Sequence, residues 1–213
     1  RRGCCLRAES MTSANRLPTG YRIHSYPTLD STNAEALRRL AELNQAATDQ
    51  TSARPGDVIH AESQTAGRGR LGRRWHSPPG NLYVSLVLRP DCVPAQAMQL
   101  TFVASLALAD TIAAFAPASA EVTCKWPNDV FINHQKTAGL LLESSTSGGA
   151  GLDWLVIGMG VNIAHAPDDV SQPVTSLEAE GCTDLTPGRL LEAFCACFTE
   201  HYKQWLADGF ASQ

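Results

Sequence analysis

With 213 residues, 44% of them hydrophobic, the chain is long enough to bury one substantial core and fits one domain better than two. Charged residues make up 18% and the formal net charge is −4, so no overall basic field draws it onto nucleic acid, and any bound anion must be held locally. Seven cysteines form no Cys-x-x-Cys pair and no histidine is placed to complete a zinc site, so they read as reduced thiols of a cytoplasmic protein.

In chain order, residues 1–19 are polar and aperiodic and read as a flexible N-terminal extension, part of it upstream of Met11. Arg1–Leu6 has basic residues without an apolar h-region, and no run is read as long enough to span a bilayer, so secretion and membrane insertion are not expected. Residues 20–213 read as the folded domain. Tyr21–Tyr26 alternates like a strand, and a helix follows with Ala36, Leu37, Leu40 and Leu43 at the 3.6-residue period and Thr32 and Glu35 spaced as a capping box. Residues 44–55 read as a polar loop. Asp57–Glu62 and Leu82–Leu88 read as strands, Pro94–Phe115 as one long buried helix stopped by Pro117, and residues 121–126, 129–133, 138–143 and 154–163 as further strands. Ser147–Gly151 suits a hairpin connection. The last helix starts at Pro187, carries Leu190, Leu191, Phe194, Phe198, Tyr202 and Trp205 on one face, and stops at Gly209. Strands grouped with a few helices predict an α+β domain with a mixed or antiparallel sheet and flanking helices.

Between two of these strands lies Gly67-Arg68-Gly69-Arg70-Leu71-Gly72-Arg73-Arg74, which holds four of the seventeen basic residues. Its glycines let the backbone approach a ligand, and its guanidinium groups offer forked donors to carboxylate and phosphate oxygens. Gly67-x-Gly69-x-x-Gly72 formally matches the dinucleotide fingerprint, but that motif needs a helix next, and Arg73–Gly80 with two prolines cannot form one. A solvated basic loop is the plain alternative. Lys125-Trp126-Pro127-Asn128-Asp129 combines a cation, an aromatic face, an amide and a carboxylate; it suits a nucleotide with Mg²⁺ held by Asn128 and Asp129, or else a simple Pro-Asn-Asp turn. Helix capping by itself explains Ser31-Thr32-Asn33, and Lys136 alone is an ordinary lysine before a strand. Gly158 and Gly160 within a strand hint at close approach by a ligand or another backbone.

Taken in order, Ser31-Thr32-Asn33, Glu62–Arg70, Lys125–Asp129, Lys136-Thr137-Ala138-Gly139 and Gly158–Asn162 resemble the motifs of biotin protein ligases, and the resemblance spans Tyr21 to Trp205. It implies a catalytic domain related in fold to class II aminoacyl-tRNA synthetases. The implied activity is ATP-dependent formation of biotinyl-5'-AMP, then transfer of biotin to a lysine of a biotin carboxyl carrier protein domain of a carboxylase. Carried over by position, Ser31, Thr32, Asn33, Gln64, Gly67, Arg68 and Gly139 bind biotin, with Gly67 and Arg68 acting through the backbone. Arg70, Trp75, Lys125, Asn128, Lys136, Gly160 and Asn162 bind ATP or the adenylate. Lys136, Arg70 and Asp129 are the implied catalytic groups, Asp129 for deprotonating the incoming lysine, and Asn128 and Asp129 face Mg²⁺. Arg73 and Arg74 receive no role. Family members carry a small β-barrel after this domain, expected to be absent or truncated here, and some carry an N-terminal helix-turn-helix, for which the residues before Gly20 leave no room. DNA binding is therefore not expected, and a homodimer is one assembly the resemblance allows. The rivals are a lipoate or octanoyl ligase, whose Arg-Arg-x-x-Gly-Gly-Gly segment or Cys–Lys pair is not found, and a non-catalytic biotin or nucleotide sensor.

Overall fold

The computed structural model describes residues 17–43, 53–146, 151–168, 170 and 172–209. Most of the expected N-terminal extension, the loop at 44–52 and the tip of the Ser147–Gly151 connection lie outside the described residues. Seven strands form one sheet: β1 (Arg22–Leu29), β2 (Asp57–Gln64), β3 (Leu82–Leu88), β4 (Val122–Lys125), β5 (Asp129–Ile132), β6 (Gln135–Ser145) and β7 (Trp154–Val161), in the spatial order β1-β2-β3-β7-β6-β5-β4. Only the β1–β2 pair is parallel, because the helix between them returns the chain to the same edge; every other pair is antiparallel. The sheet is therefore mixed, and the fold is α+β.

Helix α1 (Thr32–Leu43) covers one face, where Ala36 and Leu40 pack with Ile59, Val87 and Val156. The other face is covered by α2 (Pro94–Ala97), α3 (Leu100–Phe115) and α4 (Pro187–Asp208), whose apolar residues join Val58, Leu86, Leu155 and Ile157 in the main core. Helix α4 follows the expected pattern. Thr186 caps it by accepting from the Arg189 N–H at 3.3 Å, Pro187 opens it, and Gly209 ends it at φ +76°.

Three expectations are corrected. Pro94–Phe115 is divided at Met98–Gln99 into α2 and α3, although both residues keep right-handed helical φ/ψ, −59°/−26° and −64°/−25°, so the break is a turn within one helical path. The same 22 residues do have the length and mean hydropathy, 1.5, of a membrane span, contrary to the sequence reading. They pass that test as a core helix does: Leu100, Val103, Ala104, Ala107, Leu108 and Ile112 are packed inside the domain, and Ser105 and Thr111 turn their hydroxyls back onto carbonyls four residues earlier. Finally, the α1 cap is Ser31 rather than Thr32. The Ser31 carbonyl accepts the Glu35 N–H and its hydroxyl accepts the Ala34 N–H, while the Glu35 carboxylate turns to Arg38. The strands also run longer or shorter than expected by a few residues, most visibly β6, which begins at Gln135 and so includes Lys136.

Candidate active site

On the face that α1 covers, the strand register lays out three rows. Val87 stands beside Val156 and Glu143, Ser85 beside Gly158 and Leu141, and Tyr83 beside Gly160, Gly139 and Asp129. Alternation sends these residues to one side of the sheet. The first row is filled by α1. In the next two, glycines strip the sheet of side chains and leave a floor that other groups can approach closely. The amide of Asn33 lies so near Gly158 that a Cβ there would overlap it, and the indole of Trp75 would lie 2.5 Å from a Cβ on Gly160 and 3.1 Å from one on Gly139.

Above this floor is a cavity of about 1100 Å³. Ser31, Thr32, Asn33, Gln64, Arg68, Arg70, Trp75, Lys125, Asn128, Asp129, Lys136, Gly139, Gly160 and Asn162 all line it, so positions spread over more than 130 residues of sequence meet at one place. Gly67 is the expected residue that does not. It sits behind the wall, where an added Cβ would lie 2.5 Å from the Trp75 carbonyl and 2.6 Å from Ser77 Oγ.

The two ends of the cavity differ in chemistry. At the α1 end amides and hydroxyls are interlinked and backed by the Arg68–Glu143 ion pair. Gln64 Oε1 accepts from the Thr32 N–H at 2.8 Å, its amide donates to Ser77 Oγ at 2.9 Å, and Ser85 donates to Asn33 Oδ1 at 2.5 Å while lying 2.8 Å from the Thr32 hydroxyl. Asn33 in turn donates to Glu143 at 2.7 Å, and the same carboxylate oxygen receives Arg68 at 2.8 Å. Helix capping thus accounts for Ser31 alone; Thr32 and Asn33 are buried in this network. Just outside, Arg38 beside Asp30 holds that carboxyl down at about 2. Tyr83, on the same face as Gly160 and Gly139, donates to the Pro78 carbonyl at 2.8 Å, and burial pushes its phenol up to about 12, so it stays neutral.

The opposite end is charged. Lys136 Nζ lies 2.8 Å from Asp129 Oδ1 and 5.3 Å from the centre of the Trp75 ring. The Lys136–Asp129 contact is one of charge rather than a well-angled hydrogen bond, because Asp129 Oδ1 is buried without a hydrogen-bond partner among the described residues. Arg70 donates to Asn128 Oδ1 at 2.9 Å, and the Asn128 amide donates to the Leu140 carbonyl at 2.5 Å. Lys125 lies over the Phe131 ring and is exposed, as is Trp126. Trp75 separates the two ends, and its Nε1 is buried with no hydrogen-bond partner among the described residues.

The arginine-glycine segment is a small hairpin hung between β2 and β3. The Trp75 N–H donates to the Gly67 carbonyl and the Gly69 N–H to the Arg73 carbonyl, Arg68 pairs with Arg74, and a single 3-10 turn at Arg70–Gly72 closes it with Leu71 and Gly72 at positive φ. This geometry aims Trp75 onto the glycine floor and Arg70 at Asn128.

Several functional positions were not foreseen. Ser85 could have been: it is the one small polar residue in a strand that is buried throughout, and such a group needs a partner. Glu143 acquires meaning only through register, and Ser77 through the hairpin that returns the chain to Gln64. The stretch after β7 lines one side of the cavity through Ala166, Pro167, Asp168, Val170, Gln172 and Val174. It is fixed at both ends. Asn81 Oδ1 accepts from the N–H groups of Ile163, Ala164 and His165 at 2.9, 2.9 and 3.0 Å, and Lys136 brackets the far end by donating to Pro173 and accepting from Thr175. Asn162 belongs to the same fixture, since its amide donates to the Thr175 carbonyl at 3.2 Å.

Residues 41–213 match the family described as biotin/lipoate A/B protein ligase. A biotin--[acetyl-CoA-carboxylase] ligase of Paracoccus denitrificans is 40% identical over 187 residues, which cover 85% of this chain and 73% of that enzyme. A bifunctional ligase/repressor of Bacillus spizizenii is 34% identical over 73% of this chain, which spans 48% of that longer protein. Among solved structures, a biotin protein ligase from Aquifex aeolicus in complex with biotin and ATP superposes with a TM-score of 0.68 at 27% identity, covering 88% of this chain and 73% of that one.

Proposed function

The chain belongs to the biotin/lipoate A/B protein ligase family, and on that premise we infer that it is a biotin ligase that activates biotin as biotinyl-5'-AMP with ATP and transfers it to a carrier lysine. The observation that carries this reading is the two-ended cavity: a neutral network of amide and hydroxyl groups at one end, a lysine and an arginine at the other, and an indole between them over a glycine floor.

The α1 end suits the ureido ring, which needs both donors and acceptors and carries no charge. Thr32, Asn33, Gln64 and Ser85 supply them from rigid elements. The apolar floor then accepts the aliphatic chain and delivers the carboxylate to the charged end. In the first step a carboxylate oxygen attacks the α-phosphorus of ATP, and the bond to the β-phosphate breaks to release pyrophosphate. No side chain has to become covalently attached. What the site supplies is alignment and neutralisation of charge gathering on phosphoryl oxygens, the work of Lys136 and Arg70. The buried Trp75 Nε1 offers a donor toward the adenylate beside Lys136.

In the second step a neutral carrier amine attacks the acyl carbonyl of the mixed anhydride, an amide forms, and AMP leaves with the electron pair of the broken C–O bond. Asp129 takes the proton shed by the amine; among the described residues its Oδ1 is buried without a hydrogen-bond partner and lies against Lys136. Of the two residues expected to hold Mg²⁺, Asp129 is the better fit, because the Asn128 oxygen is already engaged by Arg70. Mg²⁺, when bound there, supplies charge neutralisation on the nucleotide's phosphates, with one protein carboxylate being a common complement for that ion. The carrier is a biotin carboxyl carrier domain of a carboxylase, and a cytoplasmic site of action accords with the free thiols of Cys92, Cys124, Cys182, Cys195 and Cys197.

The test is pyrophosphate release with ATP and Mg²⁺ in the presence of biotin, lipoate or octanoate. Release with biotin, followed by transfer to a carrier domain, is expected. Release with lipoate alone would overturn the reading and favour the other branch of the family.

A further inference from the structure

Among the described residues, one cluster of ligating side chains lies outside the cavity of the proposed reaction. Cys197 and His201 stand four residues apart on α4, so they project from the same stripe of the helix. Asp110 meets them from α3, which packs alongside. One ligand atom from each, a thiol sulfur, an imidazole nitrogen and a carboxylate oxygen, lies within 4.8 Å of the other two. His201 Nε2 is 2.9 Å from Asp110 Oδ2. All three belong to the helices on the face of the sheet opposite α1, and none lines the cavity of the proposed reaction.

We propose that Asp110, Cys197 and His201 form a site for Zn²⁺ or a divalent ion of similar softness, with the fourth position left to water. The donor set decides the class of ion. Mg²⁺ and Ca²⁺ take oxygen ligands, whereas one sulfur, one imidazole nitrogen and one carboxylate match Zn²⁺ or Co²⁺. With metal–ligand distances of about 2.0–2.3 Å, tetrahedral donors stand about 3.3–3.8 Å apart. The three donor atoms already stand close to that spacing. An ion pair between His201 and Asp110 accounts for two of the three groups; Cys197, 6% exposed and packed in the core, adds a thiol one helical turn away on the same stripe. On binding, the Cys197 thiol gives its proton to solvent and the thiolate becomes the ligand. The bound ion ties α3 to α4, the pair that covers the second face of the sheet. Asp110 is distant in the chain from the other two and no familiar cysteine spacing is present, so the cluster is not legible in the sequence.

The experiment titrates metal-free protein with Co²⁺ and follows its absorption spectrum, then displaces the cobalt with Zn²⁺. One equivalent bound, with a thiolate-to-cobalt charge-transfer band and the strong visible bands of four-coordinate cobalt, is expected. Cys197→Ser should remove the charge-transfer band, and His201→Gln should weaken binding by about tenfold or more, as losing one ligand of a small site does. Asp110→Asn, at an exposed position, keeps the test open should Cys197→Ser fail to fold, and should also weaken binding. Cys124→Ser is the control, since the Asp110 charge also reaches that thiol, and it should leave spectrum and affinity unchanged. Zn²⁺ should raise the thermal midpoint of the parent protein and leave that of the three ligand variants unmoved. Binding without a charge-transfer band, or equal affinity in parent and ligand variants, would overturn the proposal. Because the cluster is remote from the cavity, either result leaves the ligase reading untouched.

Discussion

Lys136 is held between a carboxylate and an indole at the charged end of the cavity, 2.8 Å from Asp129 Oδ1 and 5.3 Å from the Trp75 ring centre. Lys136→Ala should therefore cost roughly a hundred- to a thousandfold in biotin-dependent pyrophosphate release, the loss typical of removing one preorganised charge partner, with circular dichroism unchanged. Normal turnover would remove Lys136 from the reaction. Arg70→Gly should loosen the adenylate, so that biotinyl-5'-AMP escapes and labels bystander proteins in a mixture; strict carrier selectivity in that variant would show that the hairpin does not retain the intermediate. Gly160→Ala tests the floor. A methyl group there would lie 2.5 Å from the Trp75 indole, so the ring must move, and a displacement of that size should lower kcat/KM for ATP by about a hundredfold while biotin affinity is largely kept. Equal losses for both substrates would mean that Trp75 does not divide the cavity as described. At this scale the sequence was informative wherever several residue types were grouped, as in Lys125–Asp129. Ser85 and Glu143 are single polar residues among ordinary neighbours, and only the tertiary fold brings them to Asn33 and Arg68, as the hairpin between β2 and β3 brings Ser77 to Gln64.

Among the elements, strands and helices were legible in kind because hydrophobic period reports which face is buried, as along α4. Their ends were less so, because caps depend on contacts the period does not encode. Ser31 and Thr32 are both good capping residues, and Thr32 is drawn away by Gln64 and Ser85 across the sheet. The stretch after β7 shows the same limit. It has no period, yet Asn81 fixes it by accepting three consecutive backbone N–H groups and donating to the His165 carbonyl at 2.8 Å. Asn81→Ala leaves those groups without their partner and should destabilise the domain by about 3 kcal/mol, given about 1 kcal/mol or more for each donor left unsatisfied. Asn81→Asp keeps the acceptor and should retain most of the stability. Urea unfolding monitored by tryptophan fluorescence distinguishes them; equal loss in both variants would place the contribution in the single amide donor instead.

Over the whole molecule, the two faces of the sheet divide the labour. One face holds α1 and the glycine floor, and the other holds the apolar mass of α3 and α4. This division separates effects on activity from effects on stability. Phe194, Phe198, Tyr202 and Trp205 form a ladder of stacked rings along α4 with centroids 5.6, 5.7 and 5.8 Å apart, and Trp205 Nε1 donates to Gln99 at 2.9 Å. Trp205 is 6% exposed, so Trp205→Ala leaves a large void and an unpaired amide. The expected cost is about 3–5 kcal/mol, which for a chain of this size lowers the thermal midpoint by about 10 °C. Well below that midpoint the cavity on the opposite face keeps its register, and the KM values for biotin and ATP should stay near those of the parent. If Trp205→Ala instead raised either KM while folded, the two faces would be coupled through the sheet, and the separation argued from their packing would not hold.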